Sequence, residues 1–521
     1  MITHFPPAFQ PRAGQHKAVE AIERAIESGK RFVVVEAPVG LGKSQVAATV
    51  GNWSGSAYVT MPRKSLQGQY RDTFEGDVRL VKGRASMPCT FNKPELNRKV
   101  IQWISTGQNI PQPELHHSCS TAPCQGVRQP TKTKVLEECA VSGQCPYQAM
   151  IDEACKHKVV VTNHHALFFG GQNGNLPKRR VLVIDEAHTL EPLLRDLMTV
   201  QFTVYRKVVE TELIGMQSPA HFADFLKRDE QFRTVPRDGQ EGYLARLEKF
   251  ERGGESVYGK QAIVKVVPER NKTTFEFIPA YVGNAAHSFF FDLADIVVFM
   301  TGTVYGVDIF LKGLGIKTID SSFTRLDSDF PPENRPVVRP RKAGLDLSHK
   351  HIDDNFDAAV AEIKRLMVHH KDHKGLIHAP NYKLAVRLSQ ALQESGRVMT
   401  HGTEDFLKKL QAFYDSDEPK VFISPSVREG VDFSGDKARW QVILRPPYPP
   451  AMEPYYKSLM AQNRWNEYYR LAAIDFGQML GRIVRSSDDC GVTYLLSNTF
   501  DAFLSKTWVL YPDWLKKGFV K

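Results

Sequence analysis

Short runs of apolar, largely β-branched residues recur along this chain, each ending in small or polar residues. They are Phe32–Val35, Ala57–Thr60, Val159–Thr162, Val181–Ile184, Ile296–Met300, Gly375–Ile377, Val421–Ile423, Gln441–Leu444 and Val492–Leu496. An unbroken apolar run predicts a strand covered on both faces, as in a parallel sheet. Helical periodicity fills several of the gaps, at Gly14–Ser28, Phe356–Met367, Tyr382–Ser395 and Asp405–Tyr414. Strands alternating with helices predict α/β architecture. The runs form two groups, one ending near Thr303 and the other starting near Gly375. Between them, residues 321–344 are rich in Pro and Arg and read as a linker. The pattern therefore predicts two doubly wound parallel-sheet domains in tandem.

Two stretches break the alternation. Residues 86–156 carry cysteines and little periodicity, and residues 192–285 are polar with helical patches at Phe222–Lys227 and Tyr243–Phe250. Both read as insertions into the first domain. That domain then comprises 1–85, 157–191 and 286–325, and the second 326–521. A length of 521 residues exceeds one compact core. A hydrophobic content of 42% excludes a mainly disordered chain. No run approaches the ~18 apolar residues of a membrane span, so no membrane partner is expected. The net charge, 68 − 58 = +10, permits a polyanionic partner without demanding one. The N-terminus lacks the basic and apolar regions of a signal peptide. A cytoplasmic protein is expected, its cysteines reduced or metal-bound.

The first apolar run leads into Glu36, Ala37, Pro38, Val39, Gly40, Leu41, Gly42, Lys43 and Ser44, then a helix-like stretch. Strand, glycine loop and helix together suit phosphate. Glycines let backbone N–H groups approach its oxygens, and the helix N-terminus adds a favourable dipole. Lys43 supplies charge to the β- and γ-phosphates, and the Ser44 hydroxyl is a Mg²⁺ ligand. Gly-Lys-Ser alone is common; the flanking strand and helix raise its specificity. Ala37 stands where the general pattern has its first glycine.

The run Val181–Ile184 ends in Asp185, Glu186, Ala187 and His188. Asp185 is placed to hold Mg²⁺, and Glu186 to orient or deprotonate the attacking water. In the second domain, Arg482 and Arg485 are three apart and share a face if their segment is helical. Such arginines stabilise transition-state phosphate across a cleft. Two arginines more often make a solvated face; the order of the motifs favours the catalytic reading.

These residues resemble the superfamily-two helicases of the XPD/DinG branch, over nearly the whole chain. The resemblance implies two RecA-like motor domains with ATP between them. Arg12 and Gln15 resemble the adenine-reading motif, and Tyr58–Gln67 resembles the segment that touches the DNA backbone. Leu80–Arg84 with Cys89, and Cys145–Tyr147, resemble the borders of the family's iron–sulfur domain. Thr162–His165 resembles the strand end that follows it. Thr301–Thr303 resembles the segment coupling hydrolysis to DNA movement, and Gly375–Pro380 the fourth motif. Ser424–Phe433, with Glu429, Gly430 and Asp432, resembles the fifth motif. Gln478–Arg485 resembles the sixth and adds Gln478 to the catalytic set. Three departures stand out: Leu496–Phe500 lacks the acid and arginine often found there, the 192–285 insertion is short for the family's helical arch, and no nuclease domain precedes the motor.

Six of the seven cysteines lie between Cys89 and Cys155. The resemblance implies a [4Fe–4S] cluster on four thiolates. Cys89, Cys124, Cys139 and Cys145 are the expected ligands, with Cys119 the alternative to Cys124. Zinc is the chemical rival, since four thiolates also suit it. Cys155 reads as a buried free thiol and Cys490 as a structural thiol. For single-stranded DNA, Arg63 and Lys64 are the expected backbone contacts, followed by Lys82, Arg84, Asn381, Tyr382 and Arg428. Tyr448, on the proline-rich stretch 445–450, reads equally as a base-stacking platform or as ordinary packing. The expected function is ATP-dependent helicase action on tailed or forked duplex by a monomer of a bacterium or bacteriophage. The resemblance implies 5′→3′ polarity and work in repair, replication or recombination. The alternative is an ATPase switch that remodels nucleic acid without unwinding.

Overall fold

The computed structural model describes residues 1–63, 67, 70, 78–87, 89, 94–106, 145–172, 174, 176–204, 219–228, 244, 262–339, 344–425 and 431–520. The chain forms two compact units. Unit 1 holds Met1–Val35, Gly42–Thr301 and Leu311–Thr324; unit 2 holds Glu36–Leu41, Gly302–Phe310 and Arg325–Lys521.

The first sheet contains β1 (Phe32–Glu36), β2 (Ala57–Met61), β3 (Val78–Val81), β4 (Val159–Asn163) and β5 (Arg179–Asp185). A small second sheet contains β6 (Val200–Val204), β7 (Ala262–Pro268) and β8 (Thr273–Pro279), and β9 (Ala294–Thr301) and β10 (Ser321–Arg325) return to the first. The order of the first sheet is β10-β1-β9-β5-β2-β4-β3. Its β9, β5, β2, β4 and β3 pair in parallel, with Thr60 beside both Ile184 and Thr162 and Asp185 beside Met300. Every residue of β1, β2 and β4 is buried, which explains their unbroken apolar runs. Parallel strands end on one edge, so Asp185 and Thr301 finish at the same side, where such sheets bind ligands.

The insertion after β5 adds a sheet to the helix expected near Phe222. That helix spans Pro219–Arg228, and β6, β8 and β7 pair antiparallel beside it. Strand β8 alternates between buried and half-buried positions, and its Phe275 and Phe277 meet Phe202 and Phe222 in one apolar core. The patch Tyr243–Phe250 lies outside the described residues except for Leu244.

Unit 2 is built on β11 (Val337–Val338), β12 (Gly375–His378), β13 (Val398–Thr400), β14 (Val421–Ser424), β15 (Trp440–Ile443) and β16 (Val492–Leu495). Their order is β11-β16-β15-β12-β14-β13, with every pair parallel. Helices Phe356–His369 and Tyr382–Leu392 share an apolar core with this sheet around the fully buried Trp440. Helix Trp465–Leu480 packs through Ala472, Ala473 and Phe476 into a second cluster with Ile443 and Leu495.

Candidate active site

In unit 1 the acids stand where β5 ends. Glu186 has φ 49°, a left-handed conformation uncommon for a residue with a side chain. Three contacts hold it there. Asp185 Oδ1 accepts from the Glu186 amide at 2.9 Å, and the Glu186 carbonyl accepts from the Thr189 amide at 2.9 Å and from its hydroxyl at 2.8 Å. The turn sets Glu186 Oε1 3.8 Å from Lys43 Nζ. It sets Oε2 3.4 Å from His188 Nδ1, which itself lies 2.7 Å from Thr301 Oγ1. The Tyr70 hydroxyl donates to Asp185 Oδ2 at 3.1 Å.

Burial, reinforced by the charge of Glu186 and opposed by Lys43, pushes the Asp185 carboxyl up to about 6. Tyr70 is pushed far above its ordinary range by burial and by Asp185, so it stays a donor. A buried carboxylate so destabilised by its surroundings fits a divalent cation, whose charge would reverse the shift. Asp185 and the hydroxyl of Ser44 are the residues that would hold Mg²⁺.

The phosphate loop is secured separately in each unit. In unit 1, Gly42 adopts φ 88° at the N-cap of helix Lys43–Ser54. Gln15 Nε2 donates to the Gly42 carbonyl at 3.2 Å, and Gln15 Oε1 accepts from the Arg12 amide at 2.9 Å. A Cβ on Gly42 would collide with the Gln15 amide and lie 2.8 Å from Arg12 Nη2. In unit 2, Leu41 N donates to Pro38 O at 3.3 Å to close a turn, and Gly40 takes φ 82°. A Cβ on Gly40 would strike the Arg485 carbonyl and the Phe330 ring. A Cβ on Gly302 would lie 3.5 Å from the Ala37 carbonyl, and one on Gly481 3.1 Å from Val39 Cγ2.

The arginines of unit 2 do not share a helix. Helix Trp465–Leu480 ends just before Gly481, and the chain then bends. They converge instead on one carbonyl: Arg482 Nη1 and Arg485 Nη2 donate to Val431 O at 3.0 and 3.1 Å. Arg485 Nε also lies 3.4 Å from Asp432 Oδ1. Burial would raise the Asp432 carboxyl, but donation from Ser434 and Lys437 and the charge of Arg485 hold it below its ordinary value. Gln478 Nε2 donates to Thr303 Oγ1 at 3.1 Å. Glu429 and Gly430 lie outside the described residues.

The expected DNA contacts are dispersed. Arg63 is exposed just beyond β2, and Lys82 is half-buried beyond β3. Arg84 stacks 5.0 Å above the Tyr147 ring. Asn381 caps helix Tyr382–Leu392, its Oδ1 accepting from Leu384 N at 2.8 Å. Tyr382 meets His401 edge-on at 5.6 Å. Tyr448 lies parallel to Tyr468 at 6.1 Å and edge-on to Phe503 at 5.4 Å, yet keeps 38% of its surface exposed. Lys64 and Arg428 lie outside the described residues.

Cys89 and Cys145 are half-buried, the latter immediately before helix Pro146–Cys155. Cys119, Cys124 and Cys139 lie outside the described residues, among which no group of three potential metal ligands is found. Sequence reasoning left Tyr70, His188 and the Val431 carbonyl out of the site. His188 lay within the acidic motif and Val431 within the Ser424–Phe433 stretch; Tyr70 had no spacing signal.

Residues 364–518 match the helicase C-terminal domain family, and residues 8–211 match the family described as type III restriction enzyme, res subunit. No curated protein matches the chain. Among solved structures, an XPD helicase is 15% identical with a TM-score of 0.63, over 98% of this chain and 100% of its own. An apo XPD is 14% identical with a TM-score of 0.56, over 94% and 98%. Xpd4 of S. tokodaii is 13% identical with a TM-score of 0.55, over 98% and 99%. Among the described residues no helix is long and apolar enough to cross a membrane. The chain therefore carries a helicase C-terminal domain match over residues 364–518 and a type III restriction enzyme res-subunit match over residues 8–211, on the fold seen in XPD structures.

Proposed function

We propose that this protein is an ATP-dependent DNA helicase of superfamily two that moves 5′→3′ on single strands and opens tailed or forked duplexes. The observation that carries the reading is the gathering of Lys43, Asp185 and Glu186 at one edge of the first sheet. Arg12 and Gln15 bind the adenine, while Ala37–Leu41, Gly42, Lys43 and Ser44 cradle the phosphates. Glu186, held beside Lys43 and His188 by its left-handed backbone, orients the attacking water and takes its proton. Asp185 is aimed by Tyr70 and by the Glu186 amide. Mg²⁺, when bound, supplies positive charge to the phosphate oxygens. Arg482 and Arg485 stabilise the transferred phosphoryl group, Gln478 supports that step, and Glu429, Gly430 and Asp432 complete the nucleotide contacts.

Arg63, Lys64, Lys82, Arg84, Asn381, Tyr382, Arg428 and Tyr448 are assigned to the DNA strand. Residues 86–156 are assigned to a [4Fe–4S] domain on Cys89, Cys139, Cys145 and Cys124 or Cys119, and residues 192–285 to an arch. Strand displacement from duplexes with a 5′ or a 3′ tail tests the activity, and metal analysis of the same protein tests the cluster. Displacement from the 5′-tailed duplex by an iron-containing protein is expected. ATP turnover without displacement on either tail overturns the helicase reading, and stoichiometric zinc without iron overturns the cluster.

A further inference from the structure

Unit 2 contains a buried acid that none of the assigned roles uses. Asp489 is only 6% exposed and stands four residues after Arg485. Its Oδ2 accepts from the Arg485 amide at 3.2 Å, and its Oδ1 from the Cys490 amide at 3.0 Å. Both oxygens lie 3.1 Å from the Gly435 amide, just beyond the turn in which Asp432 accepts from Ser434. Arg439, directly before β15, donates from Nη1 to Asp489 Oδ1 at 2.8 Å. The near end of the arginine bend is held from the same strand. Gln441 of β15, wholly buried, donates through Nε2 to the Met479 carbonyl at 3.1 Å, and that carbonyl also accepts from the Arg482 amide at 3.2 Å. The bend is therefore fixed at both ends, at Met479 by Gln441 and at Arg485 by Asp489.

Arg485 is held in two distinct places. Its guanidinium meets Val431 O and Asp432, the contacts it gives up in the proposed role. Its amide meets Asp489 and can keep that bond throughout. A buried carboxylate is costly unless its partners are in place, and apolar packing often serves stability as well; what the charge adds is a fixed direction for the groups it binds. We propose that Asp489 is a positioning residue for ATP turnover: it anchors the Arg485 backbone to Gly435 and Arg439, so that the side chain moves to phosphate from a fixed base. This rests on the assignment of Arg485 to the transferred phosphoryl group and adds to it an acid that touches neither nucleotide nor water.

A mutant cycle tests it: steady-state, DNA-stimulated ATP hydrolysis by the full chain as wild type, Asp489→Ala, Arg485→Ala and the double variant. Asp489→Ala is expected to lower kcat about tenfold and to leave KM for ATP within about threefold, because transition-state contacts are lost and ground-state contacts kept. Arg485→Ala is slower still. Adding Asp489→Ala to it changes kcat by less than about twofold, since a brace that acts through Arg485 has nothing left to position. A merely structural acid would lower kcat by the same factor in both backgrounds. Asp489→Asn keeps one acceptor oxygen but not the charge facing Arg439, and is expected to lose about threefold in kcat. Where the Ala variants do not fold, it takes their place in the same cycle. Losses that multiply overturn the proposal, as does a defect confined to KM. So does wild-type kcat in Asp489→Ala, or in Asp489→Asn where the Ala variant does not fold. Wild-type kcat in Arg485→Ala, or no stimulated hydrolysis by the wild type, overturns the ATPase reading instead.

Discussion

The acids of unit 1 and the arginines of unit 2 are held in opposite ways. Glu186 sits on a strained backbone with Lys43 3.8 Å away, and Asp185 is buried with its carboxyl pushed up to about 6. Tyr70, the Glu186 amide and Lys43 offset part of that cost, and a bound cation would offset more. Arg482 and Arg485, by contrast, already donate to Val431 O, and Arg485 leans on Asp432. The acids hold a destabilised carboxyl, whereas both arginines are engaged with Val431 O and, in the proposed role, exchange that carbonyl for phosphate.

The largest expected effect probes the arginine side. Arg485→Ala removes a transition-state charge and lowers kcat about 10³-fold with ATP binding kept, read by ATP hydrolysis beside nucleotide titration. Gly42→Ala comes next. Its positive φ and the collision with Gln15 destabilise unit 1 by about 1–3 kcal/mol, read by chemical denaturation, and weaken ATP binding.

Asp185→Asn sharpens the contrast by moving stability and function in opposite directions. The folded carboxyl titrates near 6 against an ordinary 3.8, so ionising it costs more in the fold than in the unfolded chain. That cost is absent below about pH 4, grows as pH rises towards 6 and is complete above it. The Asn variant should therefore unfold about 1–2 kcal/mol harder than the wild type at pH 7 without Mg²⁺, and the gain should fade towards pH 4. It should also lose Mg²⁺-dependent turnover. The smallest effect is Tyr448→Ala, which should weaken single-strand binding by about 1 kcal/mol, about fivefold, and leave KM for ATP unchanged.

Much of this was legible in the chain. The strands at the middle of each sheet are covered on both faces, so Val181–Ile184 and Val421–Ile423 announce themselves as apolar runs. Edge strands do not: β3 is half-exposed and carries Arg79, and β10 is nearly all polar. Strand β8 alternates as a half-exposed strand should, while β7 is half-buried along nearly its whole length, and neither pattern stood out from a polar stretch. In the site, Lys43, Asp185 and Glu186 follow strands at fixed spacing and were readable. Tyr70 reaches Asp185, and Arg439 reaches Asp489, only through the fold, across sequence separations of 115 and 50 that carry no periodic signal. The convergence of Arg482 and Arg485 was expected from helical spacing; it arises from a bend after Leu480 and a shared carbonyl.

The most direct test of the account is hydrolysis by Glu186→Gln beside the wild type, with and without single-stranded DNA, and with ATP binding measured on the same samples. The account predicts that DNA stimulates the wild type, while the variant binds ATP within about threefold and turns it over at least about 10²-fold more slowly. DNA-stimulated turnover retained in Glu186→Gln would contradict it.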